Sequence, residues 1–434
     1  MLPADFVIKN VDVWTNEKVQ RAQDVFVASG ALDKIVPSGS LPYPQTIIEG
    51  NGNVLMPSGL DLQVHLRSPG QYHKENPETA ARAALRGGYA YLLAMPNTFP
   101  TVDTPEIMGR CYREYERANS EMGVVIGQTS AMSYALKGET LVDFAAMKAA
   151  GAVSFTDDGV ALVDDDLMLR AFREAAKYDV AILQHAEWPG HGGALSRGKT
   201  QTQLKISEYP RDSESRLVAR DLRLLRQVPE ARYHVLHVTT KASVDLIREA
   251  KKEGLRVTGE ASPHHLYFCS DDIPEDNTSF KMNPPLFWAE DRAVLREAIV
   301  DGTLDFVATD HAPHESWGKS RGFQRAPFGT TGLETSIRVL LWLLKEGLLP
   351  GPERLVELFS SAPARYLGLE KEGWGHLEAG KPLRAFLLDS EAPERPVELS
   401  ELESLSKNNL FLGTSLPGRV LGHFTPGGYF SFAK

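Results

Sequence analysis

Short apolar runs and amphipathic stretches alternate along most of this chain. Between Met56 and about Arg365, runs such as AYLLAM, GVVIGQ, VAILQHAE and LDFVATDHAP are typical of buried strands. The stretches between them, such as ETAARAALRGG and ASVDLIREAKKEG, have apolar residues at helical spacing. At least six such βα units predict an α/β protein, and we expect a (β/α)8 TIM-type barrel rather than a doubly wound sheet.

The two ends of the chain follow a different pattern. FVIKNVDVW, DVFVA and IIEG near the start, and GRVLGHFTPGGYFSF near the end, are β-type runs interrupted by glycine, proline or asparagine. We therefore predict a small discontinuous β-sandwich built from both chain ends. The predicted domain boundaries are 1–56 and 375–434 for the sandwich, and 57–374 for the barrel.

Composition excludes several classes of function. The 434 residues carry a net charge of −10 without a cluster of Lys or Arg, so neither nucleic acid nor a membrane is an expected partner. The first residues lack a basic region followed by an apolar core, as a signal peptide would have. Cys111 and Cys269 are far apart, which argues against a disulfide framework or a thiolate metal site. We expect a cytoplasmic protein with a small-molecule substrate.

Polar residues stand at or just past the ends of the predicted barrel strands. Barrel enzymes assemble their active sites at the C-terminal ends of several strands. One such histidine is more often a core residue than a ligand, but agreement among many strand ends indicates a functional site. The residues that follow this pattern are His65, Asn97, Asp158, His185, His237 and Asp310.

These residues include a set of candidate metal ligands with one unusual member. Hydrolytic zinc sites use histidine nitrogens and carboxylate oxygens. Gln63 and His65 are two residues apart on a predicted strand, so both side chains face the same side. A histidine at Gln63 would complete a His-x-His clamp, whereas glutamine offers only a weaker amide oxygen. The motif SFTDDG, which also resembles a turn, leaves open whether Asp157 or Asp158 is the ligand.

Several motifs together resemble one enzyme family. Their order and spacing are similar to those of bacterial dihydroorotases of the large, single-chain type, in the amidohydrolase superfamily, over essentially the whole chain. Dihydropyrimidinases and allantoinases share the barrel, but they typically lack an arginine at the position of Arg67 and use a carboxylated lysine where Asp158 stands. A guanidinium suits a substrate with a free carboxylate. The motifs are DLQVHLRSPG, AMPNTFP, FTDDG, HAE, LHVTT, EASPHHL, KMNPPL, ATDHAPH and APFG.

The resemblance implies a role for each candidate ligand. His65 would bind a first metal, Asp158 would bridge two metals, and His185 with His237 would bind the second. Asp310 would touch the first metal and act as the catalytic proton carrier. Because Gln63 replaces a histidine, we expect one well-occupied zinc at Asp158, His185 and His237 and a weakened first site.

The resemblance also implies a substrate pocket. A carboxylate would be held by three side chains, and the ring would meet one asparagine and a short backbone segment. Taken singly, these residues also fit plain alternatives such as an ion pair or a turn. The segment HESWGKSRGFQRA is predicted to be a mobile active-site loop. The carboxylate residues are Arg67, Asn97 and His314, and the ring residues are Asn283, Phe328 and Gly329.

The remaining histidines lack support from these motifs. His264 and His265 are predicted to be structural residues or neighbours of the ligands rather than ligands. Another group is expected to face solvent or neighbouring loops. Its members are His73, His191, His234, His376 and His423.

The implied activity is the reversible cyclisation of N-carbamoyl-L-aspartate to L-dihydroorotate in pyrimidine biosynthesis. Because of Gln63, a second hypothesis is a non-catalytic homologue that serves as a structural partner of aspartate carbamoyltransferase. A third is another cyclic-amide hydrolase, which Arg67 disfavours. We also expect a closed homo-oligomer, the common arrangement among such enzymes.

Overall fold

The computed structural model describes residues 5–275 and 277–432. Residues 1–4, 276 and 433–434 of the predicted domain ranges lie outside the described residues. The strands are β1 (Phe6–Trp14), β2 (Val19–Ala28), β3 (Ala31–Pro37), β4 (Ile47–Glu49), β5 (Val54–Pro57), β6 (Gly59–Val64), β7 (Tyr89–Ala94), β8 (Val125–Ser130), β9 (Ala152–Phe155), β10 (Ala181–Gln184), β11 (Arg232–Val235), β12 (Val257–Ala261), β13 (Phe306–Val307), β14 (Ala385–Asp389), β15 (Arg395–Pro396), β16 (Ser415–Leu416), β17 (Arg419–Thr425) and β18 (Gly428–Ser431).

The α-helices are distributed mainly between the strands of the barrel. They are α1 (Pro77–Arg86), α2 (Pro105–Met122), α3 (Phe144–Ala149), α4 (Asp165–Lys177), α5 (Lys199–Gln203), α6 (Ser213–Leu225), α7 (Lys241–Lys252), α8 (Pro263–Tyr267), α9 (Ala289–Asp301), α10 (Ser316–Lys319), α11 (Gly322–Arg325), α12 (Leu333–Lys345), α13 (Pro352–Val356) and α14 (Ala362–Leu367). Within the described ranges, none of these helices is both long and apolar enough to cross a bilayer.

Strands β6 to β13 confirm the predicted barrel. Each strand pairs in parallel with the next in chain order. Val64 at the end of β6 forms a parallel bridge with His311, just past β13, and this bridge joins the first strand to the last. The backbone N–H of His65 donates to the carbonyl of His311 over 2.8 Å. The sheet is therefore closed at the end where the polar residues lie.

Helix α7 illustrates how sequence positions the outer layer. Thr240 caps its first turn by accepting a hydrogen bond from the backbone N–H of Ser243. Val244 and Ile247 then recur at helical spacing and are fully buried in the core. Burial of each such side chain contributes roughly 1.5–3 kcal/mol. The polar positions between them stay on the outer face, as the amphipathic pattern predicts.

Strands from both chain ends join in one mixed sheet, which confirms that the two ends form a common β-structure. Its order is β18-β17-β14-β5-β1-β2-β3, with β4 paired to β1. The join between the ends is antiparallel pairing of β5 with β14, in which Met56 lies opposite Phe386. Among the described residues these strands belong to a single sheet rather than to two stacked sheets. The numerical domain boundaries stay a prediction.

A segment within the predicted range 375–434 packs on the barrel. Strands β15 and β16 pair with each other, and Arg338 of α12 donates to the carbonyl of Leu416 over 2.5 Å. Leu402 and Phe411 pack in a cluster with Val339 of α12. The end of the chain therefore supports the barrel as well as the mixed sheet.

The expectation that His234 and His423 face solvent or loops is wrong. Both side chains are fully buried because their strand positions point into packed layers. His234 stacks on Phe306, and its Nε2 lies 3.0 Å from a carboxylate oxygen of Glu260. His423 joins the mixed sheet to the barrel, as its Nδ1 donates to the carbonyl of Leu85 over 3.1 Å. The Nε2 of that neutral ring can then accept a hydrogen bond from a serine hydroxyl, that of Ser58, at 2.7 Å.

The buried His423 makes stability sensitive to acid. Burial lowers the pKa of His423 to about 4, whereas an unfolded histidine titrates near 6.5. Between these values the unfolded chain binds a proton that the folded chain does not, so the free energy of unfolding falls as pH falls. From pH 6.5 to pH 4, we expect the free energy of unfolding of His423→Gln to fall by roughly 3 kcal/mol less than that of wild type.

Chemical denaturation of wild type and variant across that pH range measures the difference. His73→Gln, which removes a histidine at an exposed position, is the control for the substitution itself. Equal pH dependence in wild type and His423→Gln would contradict the assignment.

Candidate functional site

The predicted polar residues follow the C-terminal ends of six barrel strands. His65 comes directly after β6 and His185 directly after β10, and the others follow their strands within three residues. Most of them meet around a cavity of about 220 Å³ at this end of the barrel. The cavity is lined by His65, Arg67, Asn97, Asp158, Gly159, His185, Asn283, Asp310, Ala312, His314, Phe328 and Gly329.

Gln63 is buried near the end of β6, two residues before His65. The pairing of β6 with β7 shifts register between Asp61 and Val64, so the strand is irregular where Gln63 stands. The Gln63 side chain is fully buried, and neither its amide oxygen nor its amide nitrogen has a hydrogen-bond partner among the described residues. A buried polar group without a partner costs about 1–3 kcal/mol. The amide of Gln63 therefore leaves its hydrogen-bonding capacity unused among the described residues.

His65 is oriented by one neighbour and faces two carboxylates. Its Nδ1 lies 3.0 Å from the side-chain oxygen of Asn97, which accepts, so Nδ1 is the donor of this hydrogen bond. Its Nε2 then lies 3.0 Å from Asp310 and 3.4 Å from Asp158. Asn97 also donates to Asp158 over 3.2 Å. The Nε2 atom therefore lies between two carboxylates.

A second group of ligand atoms lies beside the first. The nearest ligand atoms of Asp158, His185 and His237 lie within 4.8 Å of one another, and all three side chains are buried. The Nε2 atom of His185 lies 3.2 Å from Glu187, and its Nδ1 atom lies 3.4 Å from Asp158. The Nε2 of His237 is buried without a partner among the described residues.

The structure distinguishes the two adjacent aspartates. Asp157 Oδ1 accepts hydrogen bonds from the backbone N–H groups of Met132, at 2.7 Å, and Ser133, at 3.0 Å. The Ser133 hydroxyl donates to the other oxygen of Asp157. Asp157 thus closes a turn, and Asp158 is the member of the pair that joins the histidines.

The two carboxylates of the site have opposite electrostatic environments. Burial would raise the pKa of Asp158, but the hydrogen bond with His185 and the nearby imidazoles outweigh it and hold this pKa well below its usual value. Burial raises the pKa of Asp310, despite its contact with His65. One carboxylate is thus held ionised while the other is easier to protonate, an arrangement suited to acid–base chemistry.

Strained backbone accompanies this chemistry. Arg67, His237 and Asp310 adopt φ angles of +59°, +30° and +48°, in a region that side chains rarely occupy. Each such residue costs on the order of 1–3 kcal/mol. Strain of this kind at three residues of one site is typical of functional positions.

Arg67 and His314 form one wall of the cavity. Arg67 donates through Nε to the carbonyl of Pro313 at 3.1 Å and through Nη2 to His314 Nε2 at 3.0 Å. Burial lowers the pKa of Arg67 to about 10, so the guanidinium stays charged at neutral pH. Because Nε2 of His314 accepts, the ring proton lies on Nδ1, which is buried without a partner among the described residues. This wall therefore offers a cation and a free donor.

Phe328 and Gly329 form a second wall. Gly329 has a φ of +130°, and a Cβ there would lie 2.7 Å from the side chain of Ala312 and 3.2 Å from that of His314. Only glycine fits at this approach. The ring of Phe328 packs against Lys281, whose Nζ lies 4.6 Å from the ring centre.

Two residues of the site were missed by sequence reasoning. Glu187 accepts from Asn283 at 2.6 Å as well as facing His185. The motif HAE, in which Glu187 stands two residues after His185, was the available signal. Asn408 accepts from the N–H of His314 at 2.8 Å and donates to the carbonyl of Gly329 at 3.1 Å. Nothing in its local sequence indicates that it reaches the cavity.

The residues present fit a metal ion. The unpartnered His237 nitrogen, the buried Asp158 and the oriented His185 form a nitrogen and oxygen donor set that suits a divalent transition metal. His65 and Asp310 extend this donor set on the other side of Asp158.

Comparisons with known proteins identify relatives over nearly the full length. The family model described as "Dihydro-orotase-like" matches residues 52–243. The chain is 38% identical over 417 residues to a protein of Bacillus cytotoxicus named dihydroorotase, and the match covers 95% of each chain. It is 39% identical over 419 residues to a dihydroorotase of Halalkalibacterium halodurans, again covering 95% of each.

Solved structures support the fold. An L-hydantoinase from Arthrobacter aurescens superposes with a TM-score of 0.85 at 24% identity, covering 100% of this chain and 97% of the other. A D-hydantoinase gives a TM-score of 0.83 at 21% identity, covering 98% and 94%. At this identity the likeness concerns the barrel and its attached mixed sheet, which agrees with the predicted architecture.

The contrast between Asp157 and Asp158 is testable by substitution. We expect Asp158→Asn to remove metal binding, because an amide replaces the carboxylate of the candidate donor set, and Asp157→Asn to retain it. Asp157→Asn should instead lower the free energy of unfolding by about 1–3 kcal/mol, since it loses hydrogen bonds in a buried turn. Metal analysis and chemical denaturation of both variants give the two readouts. Loss of metal from the Asp157 variant alone would reverse the assignment.

Proposed function

The chain belongs to the dihydroorotase family of cyclic amide hydrolases, and from this we propose that it interconverts N-carbamoyl-L-aspartate and L-dihydroorotate. The observation that carries the proposal is the buried, charged Arg67, in one cavity with His65, Asp158 and Asp310. A guanidinium in that position suits a substrate with a free carboxylate beside its ring amide. This step belongs to pyrimidine biosynthesis.

The carboxylate of the substrate would lie against the first wall. Arg67 supplies a fixed cation, and the unpartnered Nδ1–H of neutral His314 supplies a second donor. The side-chain oxygen of Asn97 contacts His65, and its amide nitrogen donates to Asp158. Asn97 would therefore bind the substrate carboxylate through the second N–H of its amide group. Charge-assisted hydrogen bonds of this type contribute both affinity and orientation.

The ring would lie between Asn283 and the second wall. The Asn283 oxygen is buried and without a partner among the described residues, so it can accept a hydrogen bond from a ring N–H. Its amide nitrogen is anchored on Glu187, which fixes the direction of that oxygen. The backbone at Phe328 and Gly329 would complete the contact on the other side of the cavity.

We propose zinc as the metal, held by Asp158, His185 and His237. Bound zinc polarises a carbonyl group and makes hydroxide available at neutral pH. His65 and Asp310 would offer a second, weaker position because Gln63 replaces an imidazole there. We therefore expect one well-occupied zinc for each chain.

Asp310 would carry the proton. In ring opening the amide C–N bond breaks, the carbonyl carbon gains a hydroxyl group from water, and the leaving nitrogen takes a proton. Asp310 lines the cavity, and its raised pKa makes its carboxyl group able to accept and return a proton at the reacting atoms. Ring closure uses the same steps in reverse.

The zinc content of Gln63 variants tests the proposed difference between the two metal positions. We expect wild type to hold one zinc per chain and Gln63→His to hold two, because imidazole binds zinc more strongly than an amide oxygen. Gln63→Leu, which removes the amide, should still hold one. Elemental analysis of extensively dialysed protein measures this. Two zincs in wild type, or none, would contradict the proposed difference between the sites.

Turnover of dihydroorotate tests the activity directly. We expect wild type to turn over dihydroorotate in preference to hydantoin, dihydrouracil and allantoin, which lack the carboxylate that Arg67 would bind. Asp310→Ala should lower kcat by about 10²–10⁴-fold, the usual contribution of a general acid–base group. Zinc at the His185 and His237 position should be retained in that variant, which separates loss of proton transfer from loss of metal. Full turnover by Asp310→Ala would overturn its role.

The second candidate function follows from Gln63. If the absence of an imidazole at position 63 abolishes catalysis, the chain would serve as a non-catalytic structural partner of aspartate carbamoyltransferase. Wild type would then be inactive toward dihydroorotate and would copurify with that enzyme, whereas an active wild type excludes this function. The homo-oligomeric state and the cytoplasmic location remain predictions.

A further inference from the structure

Lys319 is a buried cation outside the catalytic groups. It ends the short helix α10, within the segment predicted to be a mobile loop, yet only 5% of it is exposed. Its Nζ donates to the carbonyls of Lys281 at 3.2 Å, Pro327 at 3.0 Å and Gly329 at 2.8 Å. An ammonium group has three N–H donors, so all of them are used on backbone oxygens.

These carbonyls belong to the two segments that face the ring in the proposed complex. Lys281 precedes Asn283 by two residues, and Pro327 and Gly329 flank Phe328. The segments also contact each other directly, as the Gly329 N–H donates to the carbonyl of Lys281 over 2.9 Å. Lys319 thus donates hydrogen bonds to both segments that form the ring-binding wall, residues 281–283 and 327–329.

The environment of Lys319 is costly for a positive charge. Burial, with a smaller effect from Lys281, lowers the pKa of Lys319 to about 7. Backbone carbonyl dipoles, rather than a carboxylate, are the groups that surround its ammonium. A buried charge of this kind is tolerated only where its hydrogen bonds are fully made. An apolar side chain would fill the space at lower cost but could not hold the carbonyls in place.

We infer that Lys319 is a positioning residue, which holds the backbone of residues 327–329 against residues 281–283 and so sets the ring-binding wall. The expected effect of Lys319 on substrate binding rests on the proposed function, whereas its effect on the order of this backbone does not. Because the wall would contact the ring in the ground state and the transition state alike, losing its order should weaken binding more than chemistry.

Substitution of Lys319 has two separate readouts. In Lys319→Met, we expect KM for dihydroorotate to rise about tenfold or more, with kcat within about threefold of wild type. Hydrogen exchange of a peptide spanning residues 326–331 should become at least about tenfold faster, since the Gly329 amide loses its fixed acceptor. Exchange in β10 should stay unchanged. Arg321→Met, which removes an exposed cation from the same segment, is the control and should match wild type in both readouts.

A second variant guards against failure to fold. Lys319→Gln keeps two N–H donors without the charge, and we expect changes in the same direction but smaller. If neither Lys319 variant alters exchange at residues 326–331, the inference is wrong. A fall in kcat with unchanged KM would also overturn it. If wild type lacks turnover, the proposed function fails, and the exchange measurement still decides the role of Lys319.

Discussion

Closure of the barrel is the constraint on which the whole site depends. The bridge between Val64 and His311 brings together residues from the first and last barrel strands. As a result His65 and Asp310 lie 3.0 Å apart although 245 residues separate them in the chain. Beneath the bridge, the carboxylate of Asp61 accepts from both the N–H and the hydroxyl of Thr309, which fixes the residue before Asp310. Without this closure, His65 and Asp310 could not face one cavity with Asp158.

Much of this arrangement could be predicted because it follows periodic rules. Alternating βα units imply parallel strands, and parallel strands place all their C-terminal ends at one edge. The shared edge alone predicts that His65, His185 and Asp310 lie at one site. The same-side relation of Gln63 and His65, predicted from alternation within one strand, stays a prediction, because β6 shifts register between Asp61 and Val64.

What the sequence did not predict depends on contacts between distant segments. Asn408 reaches His314 and Gly329 from a segment near the chain end, and no local pattern specifies that approach. Lys319 lies in a polar, loop-like stretch, where a lysine is ordinarily solvated. The burial of His423 could not be predicted, because a strand with two packed faces lacks the alternation of apolar and polar residues that separates inward from outward positions.

The pairing of β5 with β14 has a consequence for the order of synthesis. Strand β5 lies between β1 and β14, and about 330 residues separate Pro57 from Ala385. At the usual pace of translation, on the order of 5–20 residues per second, β5 emerges roughly 15–65 seconds before its second neighbour. During that interval its hydrogen-bonding edge is open, although its four side chains are all buried in the finished protein. The nascent chain thus carries an unpaired apolar strand edge throughout synthesis of the barrel, and during that time the edge is open to incorrect strand pairing.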